Sequence, residues 1–268
     1  MKTIFITGAS SGIGKDTAKL FHSKGWNVIA TMRNPENETE LTKLKNVKVL
    51  KCDVTNSTGI KNAIQIGIQT FGKIDVVVNN AGYYSIGVFE SATDDEIVRQ
   101  IDTNLLGLIK VTKEIVPHFR KQKSGTIINL SSIAGVISVP LQSLYHATKW
   151  GVEGFSESLQ YELRQFNIKV KIIEPGVIKT DFFGRSMTVS ENSKIKEYDT
   201  YSKKVLPNLT SGGEKGSSPL GTAYTIYKAA TDKKSKLRYP TGNSKSFVYL
   251  RKLLPVSVFR KITQMVME

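Results

Sequence analysis

The sequence predicts a doubly wound α/β fold: a parallel sheet with helices on both faces, forming a single domain. Three observations predict it. Short Val/Ile-rich runs alternate with longer stretches of helical period. The runs are nearly continuous in apolar residues, as expected of strands buried on both faces. A glycine-rich turn joins the first run to the first helical stretch. At 268 residues the chain is long enough to bury such a core without disulfide or metal staples.

The elements follow in order. Thr3 to Thr7 is a β-branched and aromatic strand ending at Gly8. Residues 12–24 carry Ile13, Ala18, Leu20 and Phe21 at helical spacing and stop at Gly25. Further strands are expected at Trp26 to Met32, Val47 to Cys52, Ile74 to Val78, Thr126 to Leu130 and Val170 to Ile173. Helices are expected at 56–71, 94–121 and 143–166. Right-handed crossovers between parallel strands then wind the sheet in both directions. Beyond Thr180 the character changes. Residues 184–218 are rich in Ser, Lys, Asn and Gly, with little periodicity, and read as a substrate-site flap. A helix at 219–232, a short strand at Leu237 to Tyr239 and a basic, apolar helical tail at 246–268, broken at Pro255, complete the chain.

Composition narrows the function classes. Hydrophobic residues make up 40% and charged residues 23%, which excludes a disordered chain or a coiled coil. The single cysteine, Cys52, excludes an intrachain disulfide and a cysteine-cluster zinc site, and suits a reducing compartment. No His/Asp/Glu cluster suggests a metal. Thirty-eight Lys and Arg against 23 acids give +15, but the charge is dispersed, and no recognition motif points to nucleic acid. No stretch reaches the ~18 apolar residues of a transmembrane helix, and the N-terminal apolar stretch is too short for a signal. The expected location is cytoplasmic.

Two constellations carry chemistry. The first is Thr7-Gly8-Ala9-Ser10-Ser11-Gly12-Ile13-Gly14, between a strand and a helix. Gly8 lets the chain turn, Gly12 lets backbone approach a pyrophosphate, and Gly14 lets the helix pack closely. Free N–H groups at the helix start, including that of Ile13, and the Ser10 and Ser11 hydroxyls then hold phosphate. At the end of the second strand, Ala30-Thr31-Met32-Arg33-Asn34 lacks the carboxylate that bonds the ribose of NAD. Arg33 there suits the 2′-phosphate of NADP(H), with Lys15 assisting; NAD(H) remains possible. Asp53 and Val54 end the third strand, facing the adenine. Asn80, Ala81 and Gly82 follow the fourth, and Pro175, Gly176, Val177, Ile178 and Thr180 follow the sixth.

The second is Tyr145-His146-Ala147-Thr148-Lys149. On a helix, residues i and i+4 share one face, about 6 Å apart along the axis. A nearby ammonium favours the phenolate, so such a pair exchanges a proton with an alcohol near neutral pH. Ser131 and Ser132 end the fifth strand just before this helix. Asn104 sits awkwardly among Ile101, Leu105, Leu106 and Leu108, and so is expected to bond something specific.

Taken together, TGASSGIG, DV, NNAG, Asn104, Ser132, Tyr145/Lys149 and the PG…T segment resemble a short-chain dehydrogenase/reductase over residues 3–182, with a looser likeness at 219–265. The resemblance implies a Rossmann fold and a Ser–Tyr–Lys–Asn tetrad. Tyr145 is then the general acid/base, Lys149 lowers its pKa and binds the nicotinamide ribose, Ser132 orients the substrate oxygen, and Asn104 holds a relay water. Val177, Ile178 and Thr180 bind the nicotinamide end. Helices 94–121 and 143–166 are the elements through which this family commonly pairs, implying a homodimer or homotetramer.

Tyr83, Tyr84, Val136, Ile137, Val139, Leu141, Phe182 and Phe183 are expected around an apolar substrate mouth. His22 and His118 read as helix-surface residues. His146 points about 100° away from Tyr145 and is expected off the substrate. Cys52 reads as a small buried residue. The expected activity is hydride transfer between NADP(H) and a bulky apolar carbonyl or secondary alcohol, such as a steroid-, retinoid- or lipid-like one. A 3-oxoacyl thioester reductase and a nucleotide-sensing scaffold are the rival readings.

Overall fold

The computed structural model describes residues 1–180, 187–190, 195–210, 216–232 and 234–267. Its strands are β1 (Thr3–Thr7), β2 (Asn27–Met32), β3 (Val47–Lys51), β4 (Val76–Asn79), β5 (Tyr84–Gly87), β6 (Gly125–Leu130), β7 (Ile168–Pro175), β8 (Met187–Ser190) and β9 (Arg238–Thr241). Seven of them form one parallel sheet in the order β3-β2-β1-β4-β6-β7-β9. The order reverses between β1 and β4, so a crevice opens at their carboxyl ends, where ligands of such sheets bind.

Side-chain alternation explains why both faces are covered. Ile4 and Ile6 of β1 join the cluster that holds α1 (Gly12–Ser23) and α7 (Pro219–Thr231) against one face. Phe5 between them points the other way, into the cluster with Ile60 and Ile64 of α2 (Ser57–Phe71) and Val111, Ile115 and Phe119 of α4 (Gly107–Gln122). Ile4, Phe5 and Ile6 are all fully buried. β1 is thus apolar on both sides, and β2 and β4 are likewise buried along their whole length, the origin of the near-continuous runs.

The helix expected at 94–121 runs through, but not as a plain α-helix. α3 (Asp94–Ile101) starts with a capping box, Thr93 bonding the Glu96 amide and Glu96 bonding back, and passes through one π-helical turn at Asp102–Leu106 before α4 begins. The wider turn shifts the register and turns Asn104 inward, where it is buried. α5 (Ser143–Leu163) runs unbroken.

The region after Thr180 holds more order than its composition suggests. β8 pairs in parallel with β5, Tyr84 opposite Met187. α6 (Asp199–Thr210) packs Val205 and Leu209 onto Leu141. Phe182 and Phe183, and the 184–186, 191–194 and 211–215 portions of the expected flap, lie outside the described residues. The tail folds as two helices, α8 (Ser244–Leu253) and α9 (Val256–Met267), separated at Leu254-Pro255. No helix among the described residues is long and apolar enough to cross a membrane.

Candidate active site

A cavity of about 870 Å³ opens along the carboxyl ends of β1, β4, β6 and β7. Every site residue expected from the sequence lines it except Gly14 and Asn104, which stand behind it.

At one end is the glycine-rich turn. Gly12 has φ +54°, in the left-handed region that favours glycine. A Cβ on Gly14 would lie 2.3 Å from the Gly8 carbonyl oxygen, so only glycine lets α1 come this close. Ser11 is the N-cap of α1, its side chain makes no cap hydrogen bond, and the first turn carries no acid. The amides and hydroxyls at this helix start are therefore arranged for an anion, and the cradle fits a dinucleotide pyrophosphate. The turn is stitched to the segment after β4. The Thr7 hydroxyl accepts from the amides of Asn80 and Ala81 at 3.0 Å, and Asn80 Nδ2 donates to the carbonyls of Thr7 and Gly8 at 2.9 Å.

At the end of β2 the exposed Arg33 lines the cavity. Lys15 does not join it. Its ammonium is held by Glu38 at 3.2 Å and Glu40 at 2.7 Å, residues of the loop after β2. Glu38 is itself fixed by the amides of Glu40 and Leu41. The expected assistance from Lys15 is thereby corrected: two carboxylates already occupy it. Asp53 accepts from the Thr55 amide and hydroxyl at 2.9 and 2.8 Å, which pins the turn beside Val54.

The Pro175–Thr180 segment closes the far wall. Gly176 donates its amide to Thr241, Val177 donates to Asn243 Oδ1, and Ile178 and Lys179 pair with Ser217.

In the middle, Tyr145 and Lys149 sit one turn apart on α5, both buried. The Tyr145 phenol is hydrogen-bonded to Ser132, and its ring meets Tyr84 edge-on at 5.1 Å between centroids. Lys149 donates to the Leu130 carbonyl at 2.8 Å, and its ammonium lies 5.7 Å from the Tyr145 ring centre. Burial governs both titrations. It pushes the Tyr145 phenol up to about 12, against a pull downward from Ser132. It drives Lys149 down to about 8, while Glu153 raises it. The Tyr145 phenol therefore stands above its ordinary value, not below it as the neighbouring lysine led one to expect. Asn104 does bond something specific: Nδ2 donates to the Tyr83 carbonyl at 2.8 Å and Oδ1 accepts from the Tyr83 amide at 3.0 Å. Its side chain fixes the Tyr83 backbone rather than facing open space.

The family model for short chain dehydrogenases matches residues 2–190. The chain belongs to the short-chain dehydrogenase family. It is 35% identical over 239 residues to a 3-ketodihydrosphingosine reductase of Bacteroides thetaiotaomicron, covering 89% of this chain and 87% of that protein. It is 31% identical to a solved short-chain dehydrogenase from Streptomyces avermitilis, with a TM-score of 0.85 over 98% of this chain and 95% of that one. It is 27% identical to ElxO, solved with NADP bound, at a TM-score of 0.73, covering 89% of this chain and 97% of that one.

At the substrate end of this short-chain dehydrogenase, the expected lining is met in part. Tyr83, Tyr84, Ile137 and Val139 do line the cavity. Leu141 turns instead to Val205 and Leu209, and Val136 is not part of the lining. His146 is buried; its Nε2 accepts from the Val139 amide at 3.0 Å and its Nδ1 meets the Ala134 carbonyl at 2.8 Å. It clamps the 134–139 loop, and burial lowers its pKa. His118 accepts from the Ile74 amide at 3.2 Å, so it is not a plain surface residue. Cys52 is buried, its thiol pushed up to about 11 by desolvation. α8 and α9, expected only as a basic, apolar helical tail, wall the cavity through Phe247, Leu250, Phe259, Ile262 and Val266. Their helical apolar spacing was the available signal.

Proposed function

We propose that this short-chain dehydrogenase is an NADP(H)-preferring reductase of a bulky, apolar carbonyl, with Tyr145 as the proton donor. The observation that carries the reading is the buried Tyr145–Ser132 pair, one turn from Lys149, opening onto a large cavity whose outer wall is apolar.

The nicotinamide, when bound, supplies the hydride. The chain's own residues supply the rest. The Ser132 hydroxyl orients the substrate oxygen toward the Tyr145 phenol. A phenol held at about 12 stays protonated at neutral pH and is suited to giving its proton to an oxygen that becomes alkoxide-like, which is the reductive direction. Lys149, charged below about 8, stabilises the phenolate left behind and is placed for the nicotinamide ribose. Asn104 acts as a positioning residue, holding Tyr83 and the chain that leads into Tyr84. Arg33, with no acid at its strand end, supports the NADP(H) preference.

The cavity wall supports the substrate class. Tyr83, Tyr84, Ile137, Val139, Phe247 and Phe259 give the cavity a run of apolar and aromatic surface suited to a bulky apolar carbonyl. The lipid-like keto substrate named for the Bacteroides relative agrees with this choice. Thr188, Asn208 and Leu209 reach the cavity from the 184–218 segment, which supports its reading as a flap. Exposed Val98, Leu106, Trp150 and Tyr161 on the α3–α4 stretch and α5 support two-fold pairing through those elements, a point for light scattering. The one free cysteine is compatible with the cytoplasm.

The test is oxidation of NADPH and of NADH by the purified chain, across ketosteroids, retinals, long-chain keto-lipids, acyl thioesters and small ketones. Turnover concentrated on the apolar carbonyls with NADPH is expected. Turnover confined to small hydrophilic ketones removes the substrate class, and none with any carbonyl removes the reductase reading.

A further inference from the structure

The two tail helices present an apolar surface that the cavity alone does not account for. Phe247, Leu250, Ile262 and Val266 line the cavity and are also open to solvent. Further out, Leu253 and Met265 are 80% and 84% exposed and lie outside the lining. On α9 the exposed residues Val258, Ile262, Met265 and Val266 follow i, i+4, i+7, i+8 spacing, one continuous face. The buried Phe259 marks the adjacent face, turned to the cavity. Apolar side chains on α8 and α9 therefore extend from the cavity lining to the solvent-exposed surface.

Charge indicates what covers this surface. Between Asp232 and Glu268 the sequence contains no acidic residue, while Lys and Arg recur throughout; Lys261 is exposed beside the apolar face of α9. A second copy of the chain would bring the same basic tail to a two-fold contact, placing like charges together. An anionic bilayer surface instead offers phosphate headgroups to the cations and hydrocarbon to the exposed side chains. With 10 and 12 residues, α8 and α9 are too short to span a bilayer and suited to lie in its interface.

We propose that the α8–α9 tail docks this protein on an anionic lipid surface, with the cavity mouth facing the membrane. Docking stands on the tail alone. Its use, entry of an apolar substrate directly from the lipid, rests on the proposed reductase reading.

Flotation of the full chain with phosphatidylcholine vesicles, with and without phosphatidylglycerol, tests it. Binding is expected with the anionic vesicles and should weaken with salt and on neutral ones. The Leu253→Glu/Met265→Glu double variant should lose roughly tenfold or more in partitioning, since it puts charge where side chains enter hydrocarbon. A Lys261→Gln variant should lose about fivefold, the scale of one basic group at such a surface. Turnover of a water-soluble carbonyl by the Leu253/Met265 variant should be unchanged, which separates loss of docking from loss of the site. Absence of flotation with anionic vesicles, or equal flotation of the double variant, overturns the proposal. If the double variant also lowers the mass seen by light scattering without any vesicle binding, the tail is a contact between copies instead.

Discussion

The Arg238 guanidinium reaches across from β9 to the buried Glu153 carboxylate on α5, with Nε 2.9 Å from Oε2. A second nitrogen of Arg238 bonds Glu157 at 2.6 Å. Glu153 lies one helical turn beyond Lys149, so the edge of the sheet is wired through one carboxylate to the lysine of the site. Burial pushes the Glu153 carboxyl up, with Ser131 and Arg238 pulling it back. Glu153 in turn raises Lys149 against the larger effect of desolvation.

Glu153→Gln should therefore lower the Lys149 pKa below its value of about 8, because the neutral amide no longer stabilises the ammonium. The alkaline limb of carbonyl reduction should move to lower pH, by on the order of one pH unit for a carboxylate one turn away. A pH profile of kcat/KM checks this. A profile with an unmoved limb and only a lower plateau would mean that Glu153 serves folding alone.

Tyr145→Phe removes the transferable proton and little else. The ring is buried against Tyr84, and phenylalanine fills the same space. Turnover should fall by about 10²–10⁴, the scale of general acid–base help. Cofactor affinity, read by fluorescence titration, should stay close to wild type. Near-normal turnover by the folded variant would take the proton donor away from Tyr145.

Arg33→Asp places a carboxylate where the strand end now has none. NADPH should bind far more weakly and NADH nearly as before, because the 2′-phosphate loses a charge-assisted partner and meets a repelling one. Lys15 is not free to compensate, being held by Glu38 and Glu40. The ratio of kcat/KM for the two cofactors is the readout, and a wild type without preference would leave Arg33 no such role.

These residues differ in how far the sequence disclosed them. Tyr145 and Lys149 were legible because helical spacing alone puts them on one face, and the glycines because each meets a local backbone demand. Asn104 was legible as a polar residue in an apolar helix, but the π turn that aims it at Tyr83 was not, since nothing in the 3.6-residue pattern signals one added residue. The pairing of β5 with β8 joins segments about a hundred residues apart, each only 4 residues long. The capture of Lys15 and the Arg238–Glu153 contact likewise depend on how loops and edges meet in space. α6 was missed because the Ser- and Lys-rich composition masks the spacing of Val205 and Leu209, both of which are buried. Local chemistry thus declared itself, and non-local chemistry needed the fold.

Lys149 also bears on stability. Its pKa is about 8 in the folded chain against an ordinary 10.5, and the lowering comes first from desolvation. Below about 8 both folded and unfolded chains hold the proton, so the full cost of a buried ammonium is present, at most about 3 kcal/mol. Between about 8 and 10.5 the unfolded chain binds more protons than the folded one, so stability rises with pH through this window. Lys149→Met removes the titration altogether and gives up one hydrogen bond to Leu130, worth about 1 kcal/mol. Relative to wild type, the variant should be the more stable protein at neutral pH, and its advantage should shrink or reverse as pH approaches 10.5. Urea unfolding of both proteins across that range gives the comparison, and the difference between them cancels every other titrating group. A difference that stays constant with pH would mean that Lys149 keeps its ordinary pKa in the folded chain and does not lose its proton near 8.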